Sequence, residues 1–339
     1  MIKNYLEKVV SGQNLSRQEA SEVLEKIIAG EITETQAGAL LTALRMKGES
    51  VEEIVGLVET MEKHMVKIDL EDGNAIDMCG TGGDGSHSFN ISTTAALVVA
   101  AGGVTVAKHG NRSISSKSGS ADLLQELGIK IDLPAQAVKK CIDQVGIGFL
   151  FAPLYHPAMK LLAPVRKSLQ IRTVFNMLGP LLNPARVRRQ LIGTFDAEAA
   201  EKIAKVLMAK NYTKACTVHS ADGFDEVSPF ANNQIFEVNI GNGELRETIY
   251  RHEAKNKTSG STDVRGNTSV ENAHITMNVL NGQPGPTRDM TVANAAFGFY
   301  VADKVASINE GLSLAEELID SGAARKKYET LREISNSFN

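Results

Sequence analysis

The sequence predicts an α/β fold in which a small all-helical domain precedes a larger α/β domain with a mostly parallel central sheet. Three observations predict it. Residues 1–65 carry apolar stripes at helical spacing throughout. From residue 75, short apolar runs alternate with helical segments across glycine turns, the pattern of strands joined by crossover helices. Pro157, Pro164, Pro180 and Pro184 interrupt that alternation once, and it then resumes, as expected for a chain that crosses between domains. The length of 339 residues accommodates two domains.

Each element has a local reason. Three capping boxes open the helical part: Ser16 with Glu19, Thr33 with Gln36 and Ser50 with Glu53. Each hydroxyl can accept from an amide that a first helical turn leaves orphaned. Behind them run Ala20, Val23, Leu24, Ile27 and Ile28, then Ala37, Leu40, Leu41 and Leu44, then Ile54, Leu57, Val58 and Met61. Gly30 and Gly48 suit the stops. No convergent polar cluster shows here, so this part reads as a packing or dimerisation domain. Beyond it, the pattern predicts strands at 75–78, 104–107, 129–131 and 147–151, with helices at 93–101, 121–127 and 135–145. After the prolines come a strand at 191–195, a helix at 197–208 and a strand at 215–219. Residues 251–270 are polar and rich in Gly, Ser and Thr, a solvated loop, and 289–306, 314–321 and 324–334 read as helices.

Composition narrows the function classes. Lys and Arg number 36 against 40 Asp and Glu, a net charge of −4, so nothing directs the whole chain to a nucleic acid or an anionic membrane. Any positive site must be local. Cys79, Cys141 and Cys216 are too few and scattered for a disulfide framework and form no CxxC pair, so a reducing cytoplasm is expected. Lys3, Glu7 and Lys8 near the start do not make a signal peptide, and nowhere do roughly 18 apolar residues run together as a membrane span requires.

The run Gly80-Thr81-Gly82-Gly83-Asp84-Gly85 formally satisfies G-x-G-x-x-G, the dinucleotide fingerprint. Two checks fail. The helical pattern waits until about Thr93, and the next strand ends in Lys108-His109 where an acid should hold a ribose. A Walker A loop is excluded by the absence of Gly-Lys-Ser/Thr. What is left is a loop of bare backbone amides, suited to wrapping an anion that arrives with a metal ion. Asn90-Ile91-Ser92-Thr93 then precedes a helix, so Ser92 or Thr93 can cap while neighbouring hydroxyls and amides face a phosphate. The stretch Lys108-His109-Gly110-Asn111-Arg112-Ser113-Ile114-Ser115-Ser116-Lys117-Ser118-Gly119-Ser120 packs three fixed cations, one imidazole and five hydroxyls into 13 residues. It lies at a strand end, where ligands of open α/β sheets gather, and a polyphosphate explains it better than a solvated loop. Asp225-Glu226 would be a surface turn if alone. Beside a phosphate site the pair suits Mg2+, which takes one or two protein carboxylates plus substrate phosphates and retained water. No His/Cys cluster has metal-ligand spacing, so zinc is not expected.

Taken in order, Gly80 to Asp84, Asn90 to Thr93, Lys108 to Ser116 with Ser118-Gly119-Ser120, Arg172-Thr173-Val174-Phe175-Asn176-Met177-Leu178-Gly179-Pro180-Leu181-Leu182-Asn183-Pro184 and Asp225-Glu226 resemble the anthranilate phosphoribosyltransferase family of tryptophan biosynthesis. The resemblance runs from the helical start to Asn294-Ala295-Ala296. It implies transfer of phosphoribose from phosphoribosyl pyrophosphate (PRPP) to the amine of anthranilate, with Mg2+, by a homodimer joined through the helical domain. It also implies a helical domain of residues 1–70 with a returning segment at about 166–190, and a PRPP-binding α/β domain of 71–165 and 191–339.

Residue by residue, the resemblance assigns PRPP to Gly80, Gly83, Asp84, Ser88, Asn90, Ile91, Ser92, Thr93, Lys108, His109, Gly110, Asn111, Arg112, Ser113, Ile114, Ser115, Ser116 and Ser120. It assigns metal to Ser92, Asp225 and Glu226. Anthranilate falls to Gly80, Asn111 and Arg166, with the planar fork of Arg166 facing the carboxylate. Ser88 and Gln170 stand where the family often has Thr and Gly, and neither change removes a ligand. Breaking the bond to pyrophosphate builds negative charge on the leaving group, which Mg2+, Lys108 and loop amides can stabilise. The attacking amine brings its own lone pair, so a strong base is not demanded; His109 or the substrate carboxylate is the candidate proton acceptor. A pyrimidine nucleoside phosphorylase would share the architecture, but the Lys-His-Gly-Asn-Arg string and the Asp-Glu pair suit a pyrophosphate with metal. A non-enzymatic nucleic-acid-binding relative should show a basic face and loss of the acids, and the sequence shows neither.

Overall fold

The computed structural model describes residues 2–113, 117–241, 243–252 and 260–338. Four helices lead: α1 (Ile2–Val10), α2 (Arg17–Ile28), α3 (Glu34–Lys47) and α4 (Val51–Lys63). All three capping boxes form in both directions, as when the Glu19 amide donates to the Ser16 hydroxyl at 3.2 Å and the Ser16 amide to Glu19 at 2.7 Å. Glu53 does more. Fully buried, it also accepts the Leu15 amide and the Lys47 ammonium, each at 2.8 Å, tying the α1–α2 turn to the start of α4. Residues 1–65 therefore do hold a polar cluster, because a carboxylate taken out of water has to find donors.

From there the chain builds a sheet. In order come β1 (Ile76–Gly80), α5 (Ile91–Ala101), β2 (Val106–Gly110), α6 (Ser120–Glu126), α7 (Ala135–Val145), β3 (Ile147–Phe151), α8 (Ala152–Tyr155), α9 (Met159–Leu169), α10 (Phe175–Leu178), β4 (Arg189–Gly193), α11 (Ala197–Ala209), β5 (Lys214–Ser220), β6 (Asn233–Asn239) and β7 (Glu244–Tyr250). Helices α12 (Ser269–Leu280), α13 (Pro286–Val301), α14 (Ile308–Asp320) and α15 (Ala323–Asn336) follow. The sheet has seven strands in the order β3-β2-β1-β4-β5-β6-β7. The five strands β1 to β5 run parallel, and β6 and β7 add an antiparallel edge. The architecture is thus the expected small helical domain with a larger, mostly parallel α/β domain. Winding starts at β1 and proceeds outward both ways, so the carboxyl ends of β1 and β4 flank the switch point where open sheets hold their ligands.

Several elements differ from the sequence reading. Residues 129–131 join no strand ladder: Ile129 and Ile131 are buried, but by packing and not by pairing. Strands β6 and β7 went unread because β7, Glu244-Leu245-Arg246-Glu247-Thr248-Ile249-Tyr250, is mostly exposed and carries little apolar alternation. Helix α9 contains Pro164, which normally stops a helix; Leu162 and Val165 bury on either side and hold it. Those two residues share a core with Val23, Leu40, Leu44 and Ile54, and Val174, Phe175 and Leu178 join it, so the chain returns to the leading helices after the sheet has begun. The same core takes in Ala200, Ile203 and Leu207 of α11. Among the described residues no helix is long and apolar enough to cross a membrane.

Candidate active site

Gly80 and Gly193 end the paired strands β1 and β4, and the Asp225 segment lies directly on them. A Cβ at Gly193 would fall 1.5 Å from the Asp225 carbonyl oxygen, and one at Gly80 would fall 2.5 Å from its Oδ2. Side chains are excluded there so that a carboxylate can reach the strand ends. The loop beyond is drawn onto the same residue: the Gly82 amide donates to Asp225 Oδ2 at 2.9 Å, and the Asp225 amide donates to Asp84 Oδ2 at 3.2 Å. Gly82, Gly83 and Gly85 have φ of 66°, 74° and 75°, a region that costs an L-residue about 1–2 kcal/mol. Arg172 donates to the Gly83 carbonyl and stacks 4.5 Å over Phe195, closing the loop from the far side.

If the loop holds PRPP as the resemblance implies, Gly83→Ala should weaken its use by about five- to thirtyfold in kcat/KM, the equivalent of that strain. Gly30 is the control, since its φ of 75° carries the same strain over open space at a helix stop. Equal kinetics in Gly30→Ala and Gly83→Ala would reduce the loop to a turn.

Helix α5 begins at Ile91, so Ser92 and Thr93 lie inside its first turn and do not cap it. Asn90 stands at the cap position with its side chain engaged elsewhere, by Ser118 and by Asn272 at 2.9 Å. The cap comes from outside: the Ser92 amide donates to Glu226 Oε1 at 3.1 Å, a carboxylate at the positive end of a helix. The Thr93 hydroxyl is buried with no hydrogen-bond partner among the described residues. Lys108, only 3 % exposed, donates to the Met78 carbonyl at 2.6 Å and lies 3.5 Å from the Ser92 hydroxyl. Ser88 sits just upstream, bridged to Arg265.

The cationic stretch divides in the structure. Arg112 is paired, donating to Asp122 and Gln125 at 2.7 Å each, while Lys117 reaches out to Asn267 at 2.6 Å. Asp122 also accepts the Ser113 and Gly119 amides at 3.1 and 2.9 Å, pinning both ends of the loop. Asn111 is exposed, its carbonyl accepting from Ser120 at 3.3 Å, and Gly110 is glycine because a Cβ would strike that hydroxyl. Ile114, Ser115 and Ser116 lie outside the described residues. Lys108→Ala should lower turnover on the order of tenfold or more, the loss of a charged hydrogen bond, whereas Lys117→Ala should change it little. Initial rates at saturating substrates decide; equal small effects would make the stretch a solvated loop.

Three carboxylates, Asp84, Asp225 and Glu226, lie close together here, and none of them forms an ion pair among the described residues. Burial, then Asp84 and Glu226, push Asp225 well above the usual carboxylate range. Burial pushes Glu226 up to about 8, although Lys108 pulls the other way. Carboxylates crowded in this way could take a hard cation. Among the described residues no group of three or more His, Cys, Asp or Glu side chains is placed to hold a metal ion by itself.

Arg166 lies on α9, half-buried 5.7 Å over the Phe175 ring. Burial lowers its pKa, and among the described residues no carboxylate pairs with the guanidinium. His109 is buried, with Nε2 3.2 Å from His156 Nε2. Burial first and His156 second hold it well below the ordinary histidine range, and burial takes His156 down to about 4, so both rings are neutral at pH 7.

Sequence reasoning passed over several residues that shape this site. Asp77, fully buried, accepts the His109 amide at 3.1 Å and Asn183 at 2.8 Å, bracing the end of β2. An acid inside an apolar strand was its signal. Asp122 stands three residues after Gly119, the spacing of a capping box. Nothing local marks Arg172 as the partner of a loop 89 residues upstream.

Residues 72–325 match the glycosyl transferase family a/b domain, and residues 3–65 match the helical bundle domain of the same family. Fold and site together therefore define a glycosyl transferase of the helical-bundle and a/b type. The anthranilate phosphoribosyltransferase of Thermomicrobium roseum is 48% identical over 99% of this chain and 98% of its own length, and that of Petrotoga mobilis 46% over 99% and 97%. The crystal structure of anthranilate phosphoribosyltransferase from Thermus thermophilus superposes with a TM-score of 0.90 at 37% identity, covering 98% of this chain and 99% of that one. The Saccharomyces cerevisiae enzyme in complex with PRPP and Mg superposes at 0.87 with 28% identity, over 99% and 98%. The chain belongs to the anthranilate phosphoribosyltransferase family.

Proposed function

We propose that this chain transfers the phosphoribosyl group from PRPP to the amine of anthranilate, giving N-(5-phosphoribosyl)anthranilate and pyrophosphate in tryptophan biosynthesis. The observation that carries this is the convergence, at the carboxyl ends of β1, β2 and β4, of the glycine loop, the α5 amino terminus, Lys108 and the three carboxylates of Asp84, Asp225 and Glu226. Asp225, Glu226 and Ser92 would hold Mg2+, which supplies positive charge to the pyrophosphate when bound.

The chain's own groups do the rest. Lys108, the amides of 83–85 and the positive end of α5 hold the pyrophosphate and stabilise its oxygens as charge grows on them, since the Thr81 and Gly82 amides already donate to Gly193 and Asp225. Gly80, Asp84, Ser88, Asn90 and the 110–113 segment with Ser120 orient the donor. Arg166 takes the anthranilate carboxylate and, with Asn111 and Gly80, brings the amine to the sugar carbon. His109, buried and neutral against His156, is poorly placed to take the proton, so the substrate carboxylate or solvent receives it. Loss of anthranilate fluorescence on adding PRPP and Mg2+ tests the reaction. Fluorescence that persists with both present, or phosphate-dependent release of a free base from a nucleoside, would replace this reading.

The domain division runs 1–70 with 166–190 against 71–165 with 191–339, supported by the core that α9 and α10 share with the leading helices. A homodimer through the helical domain is supported by Val10 and Met46, 70% and 84% exposed on the adjoining α1 and α3; sedimentation equilibrium tests it. Residence in a reducing cytoplasm is supported by the free thiols Cys79, Cys141 and Cys216.

A further inference from the structure

The Asn294-Ala295-Ala296 segment has been given no role in the reaction. Asn294 sits in the middle of α13 with no exposed surface, and its amide group is fully engaged. Its Oδ1 accepts the Val227 amide at 3.0 Å, and its Nδ2 donates to the Val227 carbonyl at 3.0 Å and to the Met290 carbonyl at 2.9 Å. The two bonds to Val227 form a clasp on both polar groups of one peptide residue, as a neighbouring strand would, yet Val227 belongs to no strand. Val227 follows Glu226 directly. The same turn is held from the opposite side, where the Asp225 carbonyl lies against Gly193 and Glu226 Oε1 accepts the Ser92 amide.

We propose that Asn294 is a positioning residue for the cation site: by clasping Val227 it fixes the backbone from which Asp225 and Glu226 project. The turn needs such a device. Two adjacent carboxylates beside Asp84 repel each other, and an irregular segment without a ladder would relax apart. Mg2+ demands near-ideal octahedral geometry, so a small displacement of its ligands costs affinity. Hydrogen-bonded supports of a metal ligand are typically worth about 10- to 100-fold in affinity. The inference rests on the reading of Asp225 and Glu226 as metal ligands.

The experiment uses the full chain with PRPP and follows Mn2+, a paramagnetic stand-in for Mg2+, by its free signal in an equilibrium titration, alongside thermal melting. Asn294→Asp, which turns the donor into an acceptor against two carbonyls, and the milder Asn294→Ser should each raise the Mn2+ dissociation constant by about tenfold or more. Excess Mg2+ should restore much of the turnover. Thr291→Val is the control: it is equally buried in the same helix, and its hydroxyl donates to the Thr287 carbonyl at 2.8 Å. It should lower the melting temperature without moving Mn2+ binding. Asn294 variants that melt early yet bind Mn2+ like the unmodified chain would overturn the proposal. Asp225→Asn separates the two ideas: if it weakens Mn2+ and the Asn294 variants do not, only this inference falls, and if it too leaves Mn2+ binding unchanged, the carboxylate assignment falls first.

Discussion

Asp225→Asn combined with Glu226→Gln should lower kcat/KM for PRPP on the order of 100- to 1000-fold while leaving the chain folded. The pair is the part of the site that nothing else replaces. Lys108 is already committed to Met78 and Ser92, and both Asp84 oxygens already accept backbone amides, Oδ1 from Ser86 at 3.0 Å and Oδ2 from Asp225 at 3.2 Å. Stability should move the other way. In the metal-free protein the carboxylates are crowded and half-buried, and neutral amides of the same shape relieve that repulsion. The sign follows from linkage: Glu226 is raised from 4.5 to about 8, so between those values the folded chain binds more protons than the unfolded one. Its contribution is fully present below pH 4.5 and is lost as pH rises through about 8. Metal-free wild-type protein should thus melt at falling temperature across that window, and the double variant should lose this part of the slope. Melting curves at several pH values without divalent ions, and rates across a Mg2+ series, make the check. Near-normal activity at limiting Mg2+ would remove the metal assignment.

Arg166→Ala should reduce anthranilate kcat/KM by about ten- to a hundredfold, since a charged hydrogen bond is worth ~1.5 to 3 kcal/mol, and should spare PRPP binding. The structure gives the reason for the split. Arg166 belongs to α9, whose apolar face packs with the leading helices, while the glycine loop belongs to the sheet. If the acceptor is gripped from one part and the donor from the other, catalysis needs the two to approach, and each substrate has its own residues to lose. Arg166→Lys should recover only part of the loss, because an ammonium lacks the planar two-pronged fork. Saturation curves for each substrate and PRPP affinity by calorimetry decide it. An equal rise in both apparent affinities, or none, would sink the split.

By itself the sequence determined the elements whose cause is local. Capping boxes at Ser16, Thr33 and Ser50 and their stripes located the leading helices, because caps and 3.6-residue periodicity act within one turn of chain. Strands buried on both faces, β1 to β5, were legible as apolar runs for the same reason, and the glycine loop announced itself by needing φ angles that other residues avoid. The antiparallel strands β6 and β7, the latter an exposed edge, were not, since their pairing comes from neighbours and not from pattern. Only the tertiary structure decided which charges are paired: Arg112 is bound to Asp122, His109 is sealed against His156, and Arg166 has no carboxylate partner among the described residues. It alone set Asp225 on Gly80 and Gly193, which are 145 and 32 positions away in sequence, and set Asn294 against Val227. Burial and partner choice are properties of contacts between distant segments, and a linear pattern carries no information on which distant atom will arrive.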